Sequence, residues 1–110
     1  MATVAQPTFP VPSAPLEALF DDLALRWKEE RGPSSSTTQL AMCPSYQRII
    51  GLGPAVVPLL LRALERAPDH WFWALKAITG ADPVPPAHRG KVTEMAQDWI
   101  AWGRQQGYQW

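Results

Sequence analysis

Cysteine is almost missing from this 110-residue chain: Cys43 stands alone, so an internal disulfide is excluded and a reducing compartment is the expected setting. Histidine is nearly as scarce. His70 and His88, with Cys43, lack the spacing of a zinc site, so neither a metal nor a cofactor is expected. No sign of charge is in excess, because ten Lys and Arg balance ten Asp and Glu. Overall electrostatics therefore give no push toward phosphate, and nucleic acid is disfavoured as a partner. Long apolar runs are missing too. The longest, residues 55 to 61, is interrupted by Pro58 and far too short to span a bilayer, so no membrane partner is expected. Residues 1 to 15 carry no basic n-region, and Pro7, Pro10, Pro12 and Pro15 break any apolar stretch there. A secretory signal is not expected, and a cytoplasmic location is the default. No alternating strand pattern of useful length occurs, which leaves an all-α fold.

The chain is rich in other things. It holds twelve prolines and six tryptophans, with 46% hydrophobic and 18% charged residues, the balance of one globular domain. Zero net charge with so many tryptophans also suggests that a partner assists solubility. Prolines in residues 1 to 14 predict an extended, flexible arm, leaving 15–110 as a single helical domain.

The first helix opens at Pro15 and ends before Gly32, with Leu16, Leu19, Phe20, Leu23 and Trp27 as its apolar stripe. Asp21, Asp22, Lys28, Glu29 and Glu30 should face water. Ser36 and Gln39 fit a capping box for a short helix through Met42, and Pro44 starts another carrying Tyr46, Ile49, Ile50 and Leu52. The next helix begins at Pro54 and is expected to bend at Pro58. Its Val56, Val57, Leu59, Leu60, Leu61 and Leu64 leave little polar surface and predict central burial. Asp69 is placed to cap the following helix, with Trp71, Phe72, Leu75 and Ile78 as core and Gly80 as its end. A stiff loop from Asp82 to Pro86 leads into a last helix bearing Val92, Met95, Ala96, Trp99, Ile100 and Trp102. Tyr108 and Trp110 either fold back or stay exposed.

Residues 49 to 83, IIGLGPAVVPLLLRALERAPDHWFWALKAITGADP, resemble one HEAT or armadillo-type unit, two helices joined by a proline-bearing turn. That resemblance implies a compact bundle of five or six helices with a helical hairpin at its centre, and the role of a scaffold or adaptor. The segments TTQLAMCPSYQRIIGLG, DHWFWALKAITGADPVP and RGKVTEMAQDWIAWGRQQGYQW resemble a family of small bacterial proteins of unassigned function, covering residues 37 to 110. Relatives in that family tend to carry His where this chain has Cys43, so the resemblance implies no essential imidazole here.

Candidate chemistry is thin. Asp69 and His70, near Lys76 and Asp82, could form an acid/base site, but a helix cap and a first-turn residue explain them without chemistry. His88 and Arg89 could hold an anion at a helix start, or simply form a polar first turn. Cys43 could be a reactive thiol or a small core residue. The hydroxyl run from Ser34 to Thr38 reads as a loop and a cap, and the GLG at 51 to 53 as a hinge. Trp71 and Trp73 cannot share a face, since two residues on a helix subtend about 200°. Trp73 with Lys76 then makes either an exposed aromatic-basic patch or a surface covered by a neighbouring helix. The expected function is a non-enzymatic protein–protein interaction module, an adaptor or regulatory subunit, contacting its partner through Trp73, Lys76, Asp82, His88 and Arg89. The alternative is a nucleic-acid-binding accessory protein using Arg89, Lys91 and Arg104; an enzyme around His70 and Asp82 ranks last.

Overall fold

Ser13 opens the first helix, α1 (Ala14–Arg31), its Oγ accepting from the Leu16 amide at 3.3 Å. A computed structural model describes residues 12–33 and 36–110. Most of the expected N-terminal arm, to residue 11, and Ser34 and Ser35 therefore lie outside the described residues. Glu17 in the first turn and Lys28 and Arg31 in the last complement the helix dipole. Phe20, Leu23 and Trp27 are buried, whereas Leu19 is 36% exposed. At 100° per residue Leu19 lies roughly 70° from the centre of that stripe, at its edge.

The chain continues through α2 (Thr37–Ala41), α3 (Pro44–Gly51), a 3-10 turn (Gly53–Val56), α4 (Val57–Arg66), α5 (Phe72–Thr79), a 3-10 turn (Pro86–His88) and α6 (Val92–Gln106). There is no strand among the described residues. The all-α bundle expected from the sequence is what forms. One boundary differs. Pro58 does not bend a helix begun at Pro54; the 3-10 turn takes up residues 53–56, and α4 starts at Val57. Pro58 thus falls in a first turn, where its missing N–H costs no helical bond. The axis turns by 109° between α3 and the stretch Gly53–Arg66. No single described helix is long and apolar enough to cross a membrane.

The apolar α4 is the buried centre: Val57, Leu59, Leu60, Leu61 and Leu64 are all sealed from solvent. It packs chiefly on α6, while α3 packs on α1 and α5; α4 and α5 touch only lightly. The faces of the 49–83 unit are thus covered by helices outside it. Gly103 of α6 stands against α4: an added Cβ there would lie 2.5 Å from Leu61 Cδ1 and 3.3 Å from the Trp110 ring. Beyond α6 the tail folds back: Tyr108 packs near Trp102 and the Trp110 indole donates to Glu65 at 3.3 Å.

Short helices leave most of their terminal backbone groups unpaired, and α2, α3 and α5 borrow partners from elsewhere. In α2 the last four carbonyls are all taken. Thr38 accepts from the Met42 amide, Gln39 from the Cys43 thiol, Leu40 from the Trp27 indole at 2.8 Å, and Ala41 from Gln47 Nε2. At the start of α3, Ser45 gives both its amide (3.0 Å) and its hydroxyl (2.6 Å) to the Glu30 carboxylate of α1. Those two bonds, hydroxyl first, hold the Glu30 carboxyl below its ordinary pKa. Glu30 faces water, as expected, and its carboxylate also serves the start of α3, which has no side-chain cap of its own.

The same holds for α5. Asp69 was expected to cap it, yet the helix begins three residues later, with Trp71 at the N-cap and no local side-chain cap. Asp69 instead accepts from the His70 amide (2.7 Å) and pairs with Arg31 at 2.9 Å. The α5 amide of Ala74 donates to the Tyr46 hydroxyl at 2.9 Å, and that hydroxyl donates to the His70 carbonyl at 2.9 Å. Burial raises the Tyr46 pKa far above the usual phenol value, so the group stays a neutral donor. Around it Trp27, Tyr46 and Trp71 form one aromatic cluster, with centroids 4.4 to 5.7 Å apart and Arg31 stacked 4.3 Å above Trp27.

Candidate functional site

The C-terminal end of α5 fixes the geometry of the exposed surface. Gly80 takes a left-handed φ of 72°, and the Thr79 hydroxyl bridges the Leu75 carbonyl (2.7 Å) and the Ala81 amide (3.1 Å). This turns the chain back along α5. Buried Val84 then anchors the proline-stiffened loop, and the 3-10 turn carries residues 86–89 over to α6. As a result Asp82 and Arg89 stand beside Lys76. Asp82 Oδ2 accepts from Lys76 Nζ at 3.3 Å and from Arg89 Nη2 at 2.9 Å. The Arg89 hydrogen bond, reinforced by Lys76, keeps the Asp82 carboxyl below its ordinary pKa.

These residues rim a groove of about 500 Å³ whose walls are largely apolar: Phe72, Trp73, Ala77, Val84, Met95 and Trp99. Trp73 is 39% exposed, while Trp71, on the opposite side of the helix, is 3% exposed. Trp73 makes no ring contact, cation–π contact or hydrogen bond among the described residues. The floor comes from α6, where Met95 and the buried Trp99 lie one turn apart, and α2 contributes Thr37 to the lining.

Four of the five sequence-selected residues, Trp73, Lys76, Asp82 and Arg89, therefore meet at one groove. His88 is not among its lining residues. Its Nδ1 lies 2.7 Å from Asp98 Oδ2, which ties the 3-10 turn to α6. The walls Phe72, Met95 and Trp99 were legible only as core positions and Val84 only as part of the stiff loop, because the cavity they share forms between elements distant in sequence.

No protein-family model, curated protein or solved structure matches the chain. The geometry therefore carries the functional argument.

The other candidate constellations come apart. No hydrogen bond or ion pair joins His70 to Asp82 among the described residues, and the His70 ring has no bonded partner. No group of three metal-ligating side chains is present among the described residues. Cys43 is half-buried at the N-cap of α3, its thiol spent on Gln39. Of the cations proposed for nucleic acid, Arg89 is paired with Asp82 and Arg104 with Glu65 at 2.7 Å, leaving Lys91. A second groove, of about 420 Å³, lies between α1 and α4, with Leu25, Lys28, Arg62 and Arg66 against Asp21 and Asp69. Two of its charges are already committed, Arg62 to Glu17 and Asp69 to Arg31, and its aromatic residues, Phe20 and Trp71, are buried.

Proposed function

We propose that the chain is a non-enzymatic protein-interaction module, an adaptor or regulatory subunit that docks a partner protein in the groove under Trp73. The observation that supports this is an exposed tryptophan whose ring has no bonded or stacked partner among the described residues, beside a largely apolar groove rimmed by Lys76, Asp82 and Arg89. Large aromatics and arginine dominate interface energetics, and a water-excluding apolar pocket is where they act. The sequence resemblance of residues 37 to 110 supports a bacterial setting, the lone cysteine a reducing, cytoplasmic one, and the resemblance of 49 to 83 a HEAT-like scaffold role. Nucleic-acid binding through Arg89, Lys91 and Arg104 is less well supported, since the chain as a whole carries no excess of positive charge.

The experiment is comparative capture from native cells. Partners retained by the intact chain should be lost with Trp73→Ala and weakened with Arg89→Glu, while Leu25→Ser, exposed on α1 outside this groove, retains them. Circular dichroism should show unchanged helix content in all three variants. Equal capture by Trp73→Ala and the intact chain would refute this reading.

A further inference from the structure

We infer that the occupant of the Trp73 groove is an acidic peptide segment of the partner. It seats one large apolar side chain on the floor and offers a neighbouring carboxylate to Arg89 and Lys76. This rests on the groove being a docking surface. What it adds is the chemistry of the ligand, and that comes from the rim.

Two cations, Lys76 and Arg89, share a single carboxylate oxygen, Asp82 Oδ2, so the rim carries one positive charge in excess. Arg89 spends only Nη2 on Asp82, and its remaining N–H donors have no partner among the described residues. A planar guanidinium with free donors is built to take a carboxylate in a two-pronged fashion. Exposed ion pairs of this kind are individually weak, so Asp82 does not monopolise the cations. An incoming carboxylate can join them at little cost.

The alternatives fit less well. A basic segment would meet both cations as like charges, and a wholly apolar one would bury the guanidinium donors without a partner, a costly desolvation. The groove, at about 500 Å³, suits a side chain and its neighbours. The apolar walls supply the other half of the recognition, since Met95, Trp99 and Val84 offer nothing to a purely charged ligand.

The test is selection of a random phage-displayed peptide library on the full chain, followed by titration of the synthesised winners. The expected outcome is a consensus of Asp or Glu beside an aromatic or large aliphatic residue. Winners should bind Arg89→Glu about tenfold more weakly, the loss of one charge-assisted contact, and should not bind Trp73→Ala. Winners that need Trp73 but show no acidic enrichment, or ignore Arg89→Glu, overturn the acidic ligand while leaving the docking groove standing. Winners indifferent to Trp73→Ala, or no peptide above background, overturn both. Retention of an oligo-dT strand that is lost in Arg89→Glu would also overturn the inference, in favour of a nucleic acid.

Discussion

Replacing Tyr46 with Phe tests whether a residue of α3 caps α5. The ring is fully buried and would keep its place, with Trp27 and Trp71 centroids 5.3 and 5.7 Å away, so the substitution removes one oxygen and little else. That oxygen accepts from the Ala74 amide and donates to the His70 carbonyl, both at 2.9 Å. Ala74 has no exposed surface, and its amide is one of the first-turn donors with no intrahelical acceptor. Stranding a buried donor costs about 1–3 kcal/mol. The His70 carbonyl is only part-buried and can turn to water, so it adds little. Together the loss should be about 2 kcal/mol, a large share of the roughly 5–15 kcal/mol that holds a domain folded. For a domain near this size, about 4–8 °C per kcal/mol puts the fall in Tm at roughly 8–16 °C. Urea denaturation should show a lower midpoint at unchanged slope, and hydrogen exchange should speed up at Ala74 before the rest of α5. A loss below about 0.5 kcal/mol, or unchanged protection of Ala74, would refute the remote cap.

Gly103→Ala sets a helix-propensity gain of about 1 kcal/mol against a methyl placed 2.5 Å from the buried Leu61 Cδ1. Overpacking at about 1–3 kcal/mol should win, and a double-mutant cycle with Leu61→Val should recover part of the loss. Trp27→Phe strands the Leu40 carbonyl and leaves space beside Tyr46 and Trp71. A loss of about 2–4 kcal/mol is expected in thermal melts, with amide exchange rising in α2. Glu30→Gln reports on the α1–α3 cap through pH. The folded carboxyl sits below its ordinary pKa, so its contribution is full above that value and fades as acid titrates the folded group. The stability gap between the native chain and Glu30→Gln should therefore be constant near neutrality and shrink as pH falls below the ordinary glutamate range; a gap that widens in acid would reverse the assignment.

How much of this was legible beforehand follows from how local each feature is. Helix existence and central burial of α4 are local, written in the run from Val56 to Leu64 and in Gly and Pro punctuation. The caps are not local. Glu30 and Ser45 are fifteen residues apart, and Tyr46 and Ala74 twenty-eight, so no window of sequence contains either pair. Asp69 fitted the pattern of a cap, but Trp71 intervenes and Arg31 offers it a full charge. For the site, Trp73 and Lys76 were legible from their three-residue spacing, and the nearness of residues 82 to 89 supplied Asp82 and Arg89. The floor was not, because Met95 and Trp99 look like ordinary core positions on α6 until α5 is laid beside them. His88 was grouped with the rim by adjacency alone, and Asp98 draws it the other way.

The tryptophans show why folding and docking can draw on different residues here. Trp27 gives its N–H to α2 and its face to Arg31, and Trp71 packs against Phe20, Trp27 and Tyr46. Trp99 and Trp102 meet edge to face, and Trp110 bridges Glu65 and Arg104 across the seam of α4 and α6. Each of these five has a structural partner that explains its presence. The Trp73 ring has no such partner among the described residues, and the part of it left in water carries a free-energy cost that burial in a complex would recover, about 25 cal/mol for each Å² covered. Arg89 follows the same logic in charge: it is held at the groove by Asp82 yet keeps donors unspent. Trp73 and Arg89 thus stand on one groove. If the groove is the docking surface proposed, Arg89→Glu should disable it without disturbing the core.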